Sequence, residues 1–177
     1  MKKIILSIAA LLTFGAVQAF TISQSWQMTN AYSIKFSSSS SGGIFKTCSG
    51  TILFDEANLG GSAFNVAIEV ASINTGNAMM NKHAKSADWF DAPKYPQIKF
   101  ASKKIVKAGS GYQVTGDLEM HGIKKEVTLP FVFSGKGTAA VFSGSFSVKR
   151  SDFHIGEAGG EVGDDIKLVV AIPVVKK

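Results

Sequence analysis

The chain has 177 residues, a formal net charge of +6, 45% hydrophobic residues and a single cysteine. That length suits one domain with a real core, and one cysteine excludes an intramolecular disulfide framework. Lysines and acids are interspersed, so there is no basic stripe of the kind that binds nucleic acid, and no nucleic-acid partner is expected.

Residues 1–19 read as a secretory signal peptide. Lys2 and Lys3 precede an apolar run from Ile4 to Val17, and Val17-Gln18-Ala19 supplies a cleavage site. The run is too short and wrongly flanked for a membrane span. Cleavage leaves Phe20–Lys177 as a single expected domain and lowers the charge from +6 to +4 by removing Lys2 and Lys3. A periplasmic location follows as the expectation, with secretion to the medium as its variant.

Beyond residue 19, apolar and polar residues alternate with period two, the pattern of half-buried strands. Ile34 and Phe36 open the series, followed by Ile52 and Phe54. Phe64, Val66, Ile68 and Val70 then share one face, with Asn65, Ala67 and Glu69 on the other. Cys48 lies in "IFKTCSGTILF", a strand-like setting that favours a buried, inert thiol. Further on come Ile98 and Phe100; Val114 and Leu118; Val127, Leu129, Phe131 and Phe133; Phe142, Phe146 and Val148; and Ile166, Leu168, Val170 and Ile172. Turn signals at 37–43, 58–61, 109–111, 135–137 and 156–163 punctuate these runs. Eight or more short strands so spaced predict an all-β antiparallel barrel or sandwich.

One stretch, "HAKSADWFDAPKYP" (83–96), breaks the pattern. Asn77 is placed to cap a helix running to about Phe90, with Pro93 and Pro96 barring its continuation. Met79, His83, Ser86 and Phe90 fall on one side of such a helix, and Met80, Ala84 and Ala87 on an adjoining stripe.

Familiar catalytic patterns are absent: no G-x-S-x-G, P-loop, G-x-G-x-x-G or H-E-x-x-H occurs. His83, His121 and His154 lie far apart without ligand-spaced neighbours, so neither catalytic nor metal residues are assigned. His121-Gly122 reads as a turn with Gly122 at positive φ. Arg150 and Asp152 read as pairing or capping residues. Twelve of the thirteen phenylalanines lie beyond residue 19. An eight-stranded barrel is either filled by such side chains or holds one apolar ligand. A dozen buried methylenes would contribute about 10 kcal/mol gross to binding, before ordering and association costs. Periodicity alone leaves filled and hollow barrels open.

Phe54-Asp55, Ser72-Ile73-Asn74-Thr75-Gly76, His83, Phe90-Asp91, Tyr95-Pro96, Gly116-Asp117-Leu118, His121-Gly122, Arg150-Ser151-Asp152-Phe153 and Gly163-Asp164, in that order, resemble the YceI-like family of exported bacterial proteins. The resemblance runs from about Ser33 to Ile172. It implies a lipocalin-like antiparallel barrel of about eight strands with one helical insertion near residues 77–90. It also implies a hollow interior that takes a long-chain amphiphile non-covalently: a polyisoprenoid, a quinone-like molecule or a fatty-acid derivative. The expected lining is Phe36, Phe64, Val66, Ile68, Phe100, Leu118, Leu129, Phe131, Phe133, Phe142, Phe146 and Leu168, with Met80, His83, Trp89 and Phe90 near the cavity on the helical segment. No covalent cofactor is expected, and transient contact with a membrane or membrane protein is. The family pattern has an Arg-Asp pair where this chain has Met80-Asn81, which shifts the expectation toward a less charged headgroup. The alternatives are an enzyme or redox accessory acting on quinone or isoprenoid ligands, and a stress-response module with a filled barrel.

Overall fold

In the computed structural model, residues 23–157 and 162–177 are described; the expected export signal lies outside them. Eleven strands and one helix follow in chain order: β1 (Ser25–Met28), β2 (Ser33–Ser37), β3 (Gly42–Phe45), β4 (Cys48–Leu53), β5 (Ala63–Glu69), β6 (Ile73–Asn74), α1 (Ala78–Ala84), β7 (Gln97–Ala108), β8 (Gly111–Met120), β9 (Ile123–Lys136), β10 (Ala139–Lys149) and β11 (Asp165–Lys176).

The eleven strands occupy eight positions around a closed antiparallel barrel. β1 and β2 are two pieces of one position, because both lie on β11: Trp26 faces Lys176, and Phe36 faces Leu168. β3 with β4, and β5 with β6, are likewise broken halves of single positions, joined by Phe45↔Ile73 and Cys48↔Ile68. Each later strand pairs with its sequence neighbour, and β1 closes the ring between β4 and β11. The expected barrel is therefore present, in up-and-down order, and a sandwich is not.

Several local features follow directly from sequence. His121 (φ 49°) and Gly122 (φ 74°) form a two-residue connection between β8 and β9, with both residues left-handed as a type I′ hairpin turn requires. Asn77 caps α1, its Oδ1 accepting from the amides of Met79 (2.9 Å) and Met80 (3.1 Å). The helix ends at Ala84, however, short of the expected Phe90. Ser86 donates its hydroxyl to the His83 carbonyl (2.7 Å), and Phe90 N–H reaches back to the Ala84 carbonyl (3.1 Å). Those bonds consume the carbonyls that another helical turn would need, so residues 85–95 continue as tight turns. Val70 likewise leaves the strand, sitting buried in a short 3-10 turn (Val70–Ser72).

The barrel has two unlike ends. At one, Phe54 is 1% exposed and ringed by Phe64, Tyr112, Phe131, Phe133 and Phe142, with centroids 4.9 to 6.2 Å away. Trp26 Nε1–H donates to the Phe54 carbonyl at 2.9 Å, anchoring this plug across β1. The other end is covered by α1, the turns after it and the segment from Arg150 to Ile155.

Candidate ligand cavity

Between plug and cover lies a cavity of about 590 Å³ with an almost wholly apolar wall. Because alternate residues of each strand point inward, the wall is built by the strand faces read from the sequence. Phe36 comes from β2; Phe64, Val66 and Ile68 from β5; Phe100 from β7; Leu118 from β8; Leu129 and Phe131 from β9; Phe142 and Phe146 from β10; and Leu168 from β11. Met80 and His83 on α1, with Trp89 and Phe90 in the turns after it, complete the covered end. All of these line the cavity.

Phe133 does not. It faces inward as expected, but it stacks into the plug, 5.3 Å from Trp26, 4.9 Å from Phe54 and 4.9 Å from Phe142. Its height along the barrel, rather than its face, excludes it from the lumen.

Sequence reasoning missed other wall residues, among them Ile34, Phe45, Cys48, Met79, Met120 and Arg150. For Ile34 the same alternation that marks Phe36 was a sufficient signal. Cys48 is buried, and burial pushes its thiol up to about 11, so it stays protonated and unreactive at neutral pH. Among the described residues Met79 is the most exposed large apolar side chain, at 80%, and stands at the rim of the covered end.

Glycines on inward positions explain why so many phenylalanines leave a lumen at all. A Cβ on Gly43 would lie 2.7 Å from Phe36 Cζ, and one on Gly116 would lie 2.8 Å from Phe100 Cζ. Each ring therefore lies back against the bare backbone of a neighbouring strand instead of crossing the interior.

Polar groups gather at the covered end. Arg150, only 4% exposed, donates from Nη1 to the Ile155 carbonyl (2.8 Å) and from Nη2 to the Val162 carbonyl (2.9 Å). Its guanidinium sits 5.4 Å from the Trp89 ring centroid, and Trp89 meets His83 edge-on at 5.4 Å. Among the described residues Arg150 forms no carboxylate ion pair, so its expected pairing is with carbonyls and an aromatic face. Asp152 does pair, with Lys125 Nζ at 2.6 Å. Asp164 accepts from the amide (2.9 Å) and hydroxyl (2.8 Å) of Ser151, which hold its carboxyl below the usual range. Asn81 accepts from Thr75 N–H and Thr75 Oγ1, each at 2.8 Å. It fastens α1 to the barrel, whereas Met80 contributes wall. His121 Nδ1–H donates to the Phe153 carbonyl at 3.1 Å and its ring packs 4.7 Å from Tyr95, so it braces the cover. His154 lies in the same segment in a left-handed conformation (φ 52°).

A sequence model of the YceI-like domain matches residues 20–174. The chain belongs to the YceI-like family. A UPF0312 protein of Photorhabdus laumondii is 36% identical over 141 residues, 76% of this chain and 73% of that one. Protein YceI of Shigella flexneri is 34% identical over the same length, covering 76% and 74%. Among solved structures, BcnA of Burkholderia cenocepacia superposes with a TM-score of 0.80 at 30% identity, covering 83% of this chain and 99% of its own. The Campylobacter jejuni YceI protein gives 0.69 at 25% identity, over 100% and 99%. No helix among the described residues is long and apolar enough to cross a membrane.

Proposed function

We propose that this YceI-like protein binds one long-chain apolar amphiphile, a polyisoprenoid, quinone-like molecule or fatty-acid derivative, and sequesters or carries it outside the cytoplasm without covalent chemistry. The observation that carries the reading is the 590 Å³ cavity with its near-continuous apolar wall. Such a wall offers a chain the hydrophobic gain of burial and little else. The asymmetry of the barrel supports an orientation: the tail toward the Phe54 plug, the headgroup among Thr75, His83 and Arg150. A structural neighbour from Saccharophagus degradans, 16% identical, is described as a polyisoprenoid-binding domain; the likeness to it is one of fold. Residues 1–19 support periplasmic delivery through their signal-like pattern.

The test is native mass spectrometry of the protein purified gently from its own cells, followed by organic extraction and lipid identification. A stoichiometric long-chain adduct, lost on delipidation and regained on adding the lipid back, is expected. A protein that neither carries such an adduct nor binds any chain offered would refute the proposal. Turnover of a bound quinone or isoprenoid would replace a carrier with an enzyme.

A further inference from the structure

The β9–β10 ladder is incomplete. Pairing runs only from Ala139↔Lys136 to Ser143↔Val132; Ile123–Phe131 and Gly144–Lys149 form no ladder with each other. Elsewhere these strands are fully held, β9 to β8 from Ile123 onward and β10 to β11 along its whole length. The seam therefore opens toward the covered end while both of its edges remain rigid.

The fork is built into the sequence. Pro130 has no N–H to give a neighbour. Across the seam, a Cβ on Gly144 would stand 2.6 Å from the Pro130 carbonyl oxygen, so only glycine fits the crossing strand. Below the fork lies a second cleft, of about 330 Å³, lined by residues from both unpaired halves, including Val127 and Val148. Val148 also lines the main cavity, as do Pro130 and Gly144 at the fork. A thin wall of side chains separates lumen from outside along this seam.

We infer that the β9–β10 seam is a lateral portal through which the chain of the ligand enters and leaves, an inference that rests on the binding function proposed above. The alternative route, under α1, is tied down more firmly. Asn81 holds α1 to Thr75, Arg150 holds the 150–155 segment through three bonds to the Ile155 and Val162 carbonyls, and Phe90 packs edge-on to Phe45 at 6.2 Å. Among the described residues the one ion pair across the seam is Lys125–Asp152, whose side chains are 42% and 48% exposed. Exposed pairs of that kind contribute little. Parting the seam breaks no ladder hydrogen bonds and uncovers aliphatic side chains suited to a sliding hydrocarbon.

The test uses a Cys48→Ala background with Thr128→Cys and Ser147→Cys, outward positions that would face each other if the Ser143↔Val132 register continued. They are joined by a reducible bis-thiosulfonate linker. Release of cis-parinaric acid is followed by stopped-flow displacement with excess oleic acid. Tethering is expected to slow release by at least about tenfold, with equilibrium affinity unchanged and the rate restored on reduction. Unlatching by Asp152→Asn in the otherwise natural chain is expected to speed release by about two- to fivefold. Binding with an unaltered release rate after tethering would overturn the portal and leave the binding function standing; no binding of the probe would overturn both. Amide hydrogen exchange on the unmodified protein gives an independent reading if the tethered variant does not fold. Amides of 123–131 directed at β10 are expected to exchange fast while those directed at β8 stay protected. Uniform protection along β9 would overturn the portal.

Discussion

Shortening the cavity makes the sharpest test of a hollow barrel. Leu168 lines the lumen at a height where it pairs with Phe36 on one side and Phe146 on the other. At about 30 Å³ per water-sized group, 590 Å³ holds about twenty non-hydrogen atoms. Affinity for straight-chain acids should then rise by about 0.8 kcal/mol per methylene, roughly fourfold each, and level off near that length. Leu168→Trp adds six side-chain atoms to the interior, so the plateau should arrive about six methylenes earlier. A chain that filled the original lumen loses up to about 5 kcal/mol, while an eight-carbon acid loses almost nothing. Displacement of cis-parinaric acid by acids of eight to twenty-two carbons measures both curves, with thermal melts confirming that the variant folds. A uniform loss at every length, or an unmoved plateau, would refute the idea that chain burial in this lumen sets affinity.

Phe54→Ala should cost about 3–5 kcal/mol of stability in urea unfolding, because five rings lose the one side chain they all touch. Gly122→Ala should lower stability by about 1–3 kcal/mol, since φ is 74° there and the new Cβ would lie 2.6 Å from Tyr95 Cε1; a melting curve reads this directly. Cys48 makes stability fall as pH rises. Its folded value of about 11 exceeds the ordinary 9.0, so the unfolded chain ionises first, and up to about 3 kcal/mol is lost between pH 9 and 11. Urea midpoints across that range should fall less steeply for Cys48→Ala.

Alternation made the inward faces legible, because period two is a local property of extended backbone. Phe131 and Phe133 show where that reading stops. Both face inward and both pack on Phe54, yet only Phe131 also lines the lumen, and only the register against β8 and β10 fixes their heights. The helix was legible at its start, where Asn77 sits two and three residues before the amides it caps. Its end was not, because Ser86 and the Phe90 amide terminate it before the prolines act. The sequence marks Arg150 as a pairing or capping residue, but not its carbonyl partners, which are presented by a chain segment that folds back from 155 and 162. No spacing rule marks a contact of that kind.

Hollow versus filled is the distinction on which function turns, and its determinants are pairs rather than residues. A phenylalanine facing inward normally fills a small barrel. Here Phe36 is opposite Gly43 in the β2–β3 ladder, and Phe100 is diagonal to Gly116 across β7 and β8. Both rings take the space that an ordinary side chain would have used on the neighbouring strand, so their bulk goes into the wall. At the opposite end the rings around Phe54 meet one another and close the barrel, although Phe133 too lies against a glycine, Gly135, where a Cβ would stand 3.0 Å from its Cζ. The same residue type thus seals one end and lines the lumen, according to its height along the barrel and to what stands beside it. Replacing Phe36 and Phe100 by leucine should therefore leave the plug and its stability largely intact while changing the shape of the lumen. Chain-length selectivity should respond before the melting temperature does.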